Sequence, residues 1–211
     1  MKYSAVIVAA GAGTRMGLGY NKVYYHLGEQ TILEKTMRIF PTDPECAQII
    51  VVTDPDLYYK NINLSPDWQV TLVIGGSTRQ ESVSNGLAAV TEEFVLIHDG
   101  ARPYLSRDVL AAVKTALETD DAVCVMVPCK DTIKRVVDGV IEETFDRSTL
   151  MAAQTPQAFR TELIISCMNQ ARHEGFTATD DSALVERYGN VKVKAIMGSY
   201  ENIKITTPED L

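Results

Sequence analysis

The sequence predicts an α/β fold with a mostly parallel sheet, and three observations carry that reading. Short apolar, β-branched runs alternate with segments of helical spacing. The first run, Tyr3–Ala9, passes straight into a glycine-rich loop, Ala10–Gly17. The chain has 211 residues, 45% of them hydrophobic, which is ample for one well-covered core. With no repeat, low-complexity stretch or linker, residues 1–211 are expected to form one domain.

Tyr3–Ala9 reads as a buried parallel strand. Thr31–Phe40 carries Ile32, Leu33, Thr36, Met37 and Phe40 at helical spacing and stops before Pro41. Gln48–Thr53 and Gln69–Gly75 read as the next strands. Ser77 is expected to cap the following helix, with Gln80 completing a capping box and Val83, Leu87 and Val90 along its length. Phe94–His98 is a fourth strand, Ser106 caps a helix bearing Val109, Leu110, Val113 and Leu117, and Ala122–Pro128 is a fifth strand.

The alternation is then interrupted. Ile133–Val137 and Val140–Thr144 flank Asp138-Gly139, the strongest short hairpin signal. This predicts an inserted β-hairpin arm over about residues 132–150. An isolated two-stranded arm is marginal in water, so it is expected to pack against a second subunit or against its own domain. Thr161–Glu174 and Asp180–Tyr188 read as helices, Val191–Met197 and Asn202–Ile205 as strands. Thr207 and Pro208 have the chemistry of an N-cap and a first helical residue, yet only Glu209, Asp210 and Leu211 follow, so a truncated C-terminal helix is expected.

The net charge is -8, which argues against a nucleic-acid surface. An anionic substrate must then be held by a local cluster of Arg and Lys. Cys46, Cys124, Cys129 and Cys167 form no C-x-x-C pair, and His26, His98 and His173 are scattered, so reduced thiols and no zinc site are expected. Met1 leads into a strand rather than a signal peptide, and no apolar run has membrane-spanning length. The expected setting is cytoplasmic, with no membrane partner.

A strand followed by a glycine loop rich in N–H donors is a place to hold phosphate. Arg15 and Lys22 add two positive charges to it. Glycines at 11, 13 and 17 miss the dinucleotide spacing G-x-G-x-x-G by one residue. Leu18 after Gly17 breaks the P-loop pattern. These departures weigh against a nicotinamide-dependent oxidoreductase. Gly76 and Ser82 sit at a second strand-to-helix turn, and Asp99 and Arg102 at the end of the fourth strand. One carboxylate beside a phosphate loop suits Mg²⁺, which takes one or two carboxylates plus substrate phosphates, and Arg102 suits a phosphate clamp. His98 has no partner in sight and reads as structural.

The loop A-A-G-A-G-T-R-M-G resembles the signature of the sugar-phosphate nucleotidyltransferases, a Rossmann-like group. With G-G-S-T-R-Q-E-S-V, H-D-G-A-R-P, D-T-I-K, D-R-S-T-L, Q-T-P-Q-A-F, T-D-D-S and N-I-K-I-T-T-P-E-D-L, the chain resembles the 2-C-methyl-D-erythritol 4-phosphate cytidylyltransferase family from Tyr3 to Leu211. That resemblance implies a Rossmann-like, three-layer α/β domain. It also implies a homodimer joined through the hairpin arms, and CMP transfer from CTP to a polyol phosphate in the non-mevalonate isoprenoid pathway. By resemblance, Arg15 and Lys22 act at the α-phosphate of CTP. Arg147 and Lys204 position the polyol phosphate, Arg147 in the other subunit's site. Ala9, Ala10, Gly11, Gly13, Gly76 and Ser82 hold the nucleotide, while Asp99, Arg102 and Thr155 line the polyol pocket. Gly100, Val23 and Ser77 depart from the residues common there. Ribitol-5-phosphate cytidylyltransferase shares most motifs, but Ala101-Arg102 and Asp146–Leu150 favour the methylerythritol substrate. A binding module without chemistry fits poorly with Lys22, Arg147 and Lys204 all being present.

Overall fold

The computed structural model describes residues 1–11, 16–63 and 68–211. Among these, seven strands form one sheet in the order β11-β7-β10-β6-β1-β4-β5. They are β1 (Tyr3–Val8), β4 (Cys46–Val52), β5 (Val70–Val73), β6 (Phe94–Asp99), β7 (Ala122–Pro128), β10 (Met151–Arg160) and β11 (Lys194–Met197). β2 (His26–Leu27) and β3 (Gln30–Thr31) make a small separate ladder. All pairings in the large sheet are parallel except the two made by β10.

The alternation of side chains along the strands builds three layers. Ala5 and Ile7 of β1 join Leu96, Val123 and Val125 on one face. That face is covered by α1 (Ile32–Met37) and α4 (Arg107–Leu117), through Leu33, Met37, Val109, Leu110 and Val113. Val6, Ile50, Val52, Val95 and Ile97 face the other way, against α3 (Arg79–Leu87), α5 (Thr161–Glu174) and α6 (Asp181–Tyr188). The sheet is thus buried on both faces, as its near-continuous apolar strands require.

The helix starts follow from side chains that accept orphan N–H groups. Thr31 and Glu34 form a capping box on α1, Ser106 accepts from Val109 N in α4, and Asp180 accepts from Ala183 N in α6. At α3 the expected cap shifts by one residue: Thr78, not Ser77, accepts from the N3 amide, that of Glu81, and Ser77 instead donates its N–H to the Glu81 carboxylate at 2.7 Å.

Three further differences from the expected elements follow from the chain's own chemistry, while the C-terminal turn begins as expected at Thr207 and Pro208. α2 (Pro55–Asn61) was not expected, although Asp54 caps it and Pro55 occupies its first turn. β10 was not expected because Pro156 lies within it and has no N–H for a ladder. The structure places it between β6 and β7, with pairing to β7 irregular between Ala153 and Gln157. Asn202–Ile205 is not a strand: it joins no ladder, and Ile205 N donates to Ala101 O at 2.9 Å. Thr207–Leu211 ends the described chain as a 3₁₀ turn, Pro208–Asp210. The hairpin is present: β8 (Lys134–Val137) pairs antiparallel with β9 (Val140–Thr144), and Asp138 and Gly139 take φ of 49° and 79°. Both values suit the two-residue turn that matches strand twist.

α3 lies close to the sheet at Gly86. A Cβ there would fall 2.7 Å from Val6 Cγ1 and 2.8 Å from Val52 Cγ2. We expect Gly86→Val to destabilise the fold by about 1–3 kcal/mol, the scale of overpacking. The measurement is the urea midpoint at unchanged m. An unchanged midpoint would show that α3 has slack against the sheet.

Candidate active site

A parallel α/β sheet presents its ligand loops at the carboxyl ends of its strands, where the chain leaves neighbouring strands in opposite directions. Here β1 pairs with β4 on one side and β6 on the other, and Asp99 stands beside Val8 at the ends of β6 and β1. Two adjoining cavities open at this edge. The first, about 470 Å³, is lined by Ala10, Gly11, Lys22, Gly76 and Ser82 among others. The second, about 300 Å³, is lined by Arg102, Gln154, Thr155 and Asp180 among others. Arg79, Asp99 and Lys204 line both.

Asp99 is the point at which the cavities meet. Its carboxylate lies 3.0 Å from Lys204 Nζ, 3.3 Å from Arg102 Nε and 3.5 Å from Arg79 Nε. Burial alone would raise its pKa. The charges of Lys204, Arg79 and Arg102 outweigh burial and hold the carboxyl well below the usual range. Arg79 is itself gripped by both oxygens of the buried Asp181, at 3.0 and 2.8 Å. Burial would lower its pKa, but the two carboxylates raise it. Among the described residues around the two cavities, Arg79, Arg102, Lys204 and Lys22 stand against Asp99, Asp180 and Asp181, an excess of one positive charge inside a chain whose net charge is -8. Such a spot attracts an anion.

The walls of the first cavity are set by close backbone approach. A Cβ on Gly75 would fall 2.2 Å from Ala10 Cβ, so the loops after β1 and β5 touch there. Ser82 Oγ accepts from Gly76 N at 3.0 Å and donates to Thr78 O at 2.9 Å, fixing the turn before α3. Asn21 donates to Ala9 O at 2.6 Å and caps the 3₁₀ turn Lys22–Tyr24 through Val23 N, which ties Lys22 to the end of β1.

In the second cavity, β10 runs antiparallel, so its early residues reach the same edge as Asp99. Thr155 Oγ1 accepts from Asp99 N at 3.0 Å. Arg102 donates to Asn202 O at 2.7 Å, which holds the segment carrying Lys204. His98 is fully buried, and burial pushes its pKa down to about 4.

The structure therefore brings together Ala10, Gly11, Lys22, Gly76, Ser82, Asp99, Arg102, Thr155 and Lys204, with Ala9 buried just behind. Gly13 and Arg15 lie outside the described residues. Arg147 lines neither cavity: it donates to Lys130 O at 2.5 Å, just after the β8–β9 hairpin in the chain. Sequence reasoning gave no role to Arg79, Asn21 or Asp181. Arg79 was visible as a lone cation in the turn after β5, but its pairing with Asp181, 102 positions away, was not.

The family model for IspD, 2-C-methyl-D-erythritol 4-phosphate cytidylyltransferase, matches residues 3–211. A protein of that name from Geobacillus kaustophilus is 43% identical over 216 residues, covering 100% of this chain and 94% of its own. One from Bacillus thuringiensis is 42% identical, at 99% and 94% coverage. Among solved structures, 4-diphosphocytidyl-2C-methyl-D-erythritol synthase from Anaerococcus prevotii superposes with a TM-score of 0.87 at 34% identity, covering 99% of this chain and 94% of that one. The Thermus thermophilus cytidylyltransferase gives 0.83 at 31%, covering 100% and 95%. A full-length family match, with sequence and fold agreeing, places this chain in the 2-C-methyl-D-erythritol 4-phosphate cytidylyltransferase family.

Proposed function

We propose that the protein transfers the cytidylyl group of CTP to 2-C-methyl-D-erythritol 4-phosphate, releasing pyrophosphate, as a step of isoprenoid biosynthesis. The observation that carries this reading is the pair of cavities sharing Arg79, Asp99 and Lys204 in a chain matched over residues 3–211. Two anionic substrates need adjoining pockets and a common positive boundary, and this edge of the sheet supplies both.

In the proposed reaction the polyol phosphate's oxygen attacks the α-phosphorus of CTP while the bond to pyrophosphate breaks. A phosphate monoester is already anionic near neutral pH, so no general base is needed. Catalysis rests on alignment and charge neutralisation. Ala9, Ala10, Gly11, Gly13, Gly76 and Ser82 are assigned to the nucleotide. Arg15 and Lys22 are assigned to the α-phosphate, where charge develops. Lys204, Arg102, Asp99 and Thr155 are assigned to the polyol phosphate.

Mg²⁺ would come to this site as a companion of the triphosphate. It asks for one or two carboxylates with substrate phosphates, but Asp99 fits it poorly as a ligand because Arg79, Arg102 and Lys204 already occupy its carboxylate. The ion would lower the negative charge on the triphosphate. Four free cysteines fit a reducing cytoplasm.

The test is pyrophosphate release with CTP, UTP, ATP and GTP against methylerythritol phosphate and ribitol phosphate. We expect turnover with CTP and methylerythritol phosphate well above every other pairing. Preference for a purine nucleotide, or for ribitol phosphate, would overturn the assignment.

The arm supports a homodimer in which Arg147 serves the partner's site. Val136, Val137, Val140 and Ile141 are exposed on a two-stranded ladder, and Arg147 follows that ladder in the chain and lines neither cavity. An arm with this apolar surface requires cover, and a second copy of the chain offers it symmetrically. Co-refolding inactive Lys22→Ala with inactive Arg147→Ala places both lesions in one site of each mixed dimer. Random pairing should then return roughly a quarter of wild-type activity. No recovery, or a monomer by sedimentation, would remove the proposal.

A further inference from the structure

His98 touches neither cavity, yet its ring sits between two parts of the second one. It is fully buried, edge-on to Phe40 with ring centroids 5.8 Å apart. Its Nε2 lies 3.2 Å from Arg102 O, and its Nδ1 lies 2.9 Å from Thr155 Oγ1. A carbonyl oxygen only accepts, so Nε2 carries the hydrogen of the neutral ring and Nδ1 is left as an acceptor. Thr155 must then donate its one hydroxyl hydrogen to His98. Asp99 N already donates to the same oxygen, at 3.0 Å. A hydroxyl has one hydrogen and two lone pairs, so Thr155 keeps a single lone pair for anything in the cavity.

We propose that His98 is a positioning residue that makes Thr155 an acceptor only, so that this corner of the second cavity takes a hydroxyl of the polyol and turns its phosphate away. A phosphate oxygen offers no hydrogen at this corner. The phosphate belongs at the other side, among Lys204 and Arg102. The same ring holds Arg102 through its carbonyl, four residues along, and so joins the hydroxyl-reading and anion-reading groups into one unit. This inference rests on the proposed function and specifies which end of the substrate Thr155 meets.

The test is a double-mutant cycle read as KM, after wild-type turnover with CTP and methylerythritol phosphate has been measured. Failure of that first measurement is failure of the assigned activity, not of the inference. His98→Leu should raise KM for the polyol phosphate by about 10-fold, the scale of one lost hydrogen bond, with KM for CTP within about twofold. His98→Asn, which can place an amide oxygen toward Thr155, should recover much of the loss. In a Thr155→Val background, which has no hydroxyl to orient, His98→Leu should cost no more than about twofold further. If His98→Leu does not fold, His98→Phe replaces it, because its ring keeps the contact with Phe40 and offers Thr155 no acceptor. An unchanged KM for the polyol phosphate would overturn the proposal, as would an equal rise with and without the Thr155 hydroxyl.

Discussion

The carboxylate of Asp99 draws Arg79, Arg102 and Lys204 to within 3.5 Å of one buried point. Three cations so close would repel one another, and each would leave costly desolvation unpaid if held without a counter-charge. The carboxylate resolves that conflict and remains ionised because the cations outweigh its burial. It does not cancel them. With Asp181 satisfying Arg79 from behind, Lys22 on the wall of the first cavity outweighs Asp180 in the second, and the two cavities together keep a positive excess. An anion arriving there meets fixed charges that need little rearrangement.

The fold exists around that point in a specific sense. β6 ends on Asp99, parallel to β1, which puts the glycine loop on one side. β10 enters the sheet antiparallel, which delivers Thr155 on the other. The last segment is no strand but a tether: Ile205 bonds Ala101, and Arg102 bonds the carbonyl of Asn202. Lys204 is thereby suspended between two anchored neighbours. Asn202 adds a bond to Thr155 O at 2.8 Å, so the tether also steadies β10. Three stretches far apart in sequence thus meet through short polar contacts at one strand end.

Much of this was legible in the sequence, for identifiable reasons. The buried strands are apolar on both faces, and most helices begin at Thr, Ser or Asp caps, so local chemistry announces them. The Asp138-Gly139 turn needs positive φ and shows it in composition. β10 was illegible because Pro156 reads as a strand breaker, and only the flanking β6 and β7 make its position tenable. Asn202–Ile205 misled in the opposite direction: its alternation mimics a strand, while Ile205 is buried, Ile203 is exposed and no ladder forms. In the site, the charged residues were visible one by one in their motifs. The partners that fix them were not, because Arg79–Asp181 and Thr155–His98 are pairings made only by folding.

The charge of Asp99, not merely its shape, assembles the site. The most direct test is kcat/KM of Asp99→Asn with CTP and methylerythritol phosphate, measured on protein shown by its thermal transition to be folded. The amide keeps the volume and removes the charge that gathers Arg79, Arg102 and Lys204. We expect a fall on the order of 10²-fold or more. Turnover close to wild type in the folded variant would contradict it.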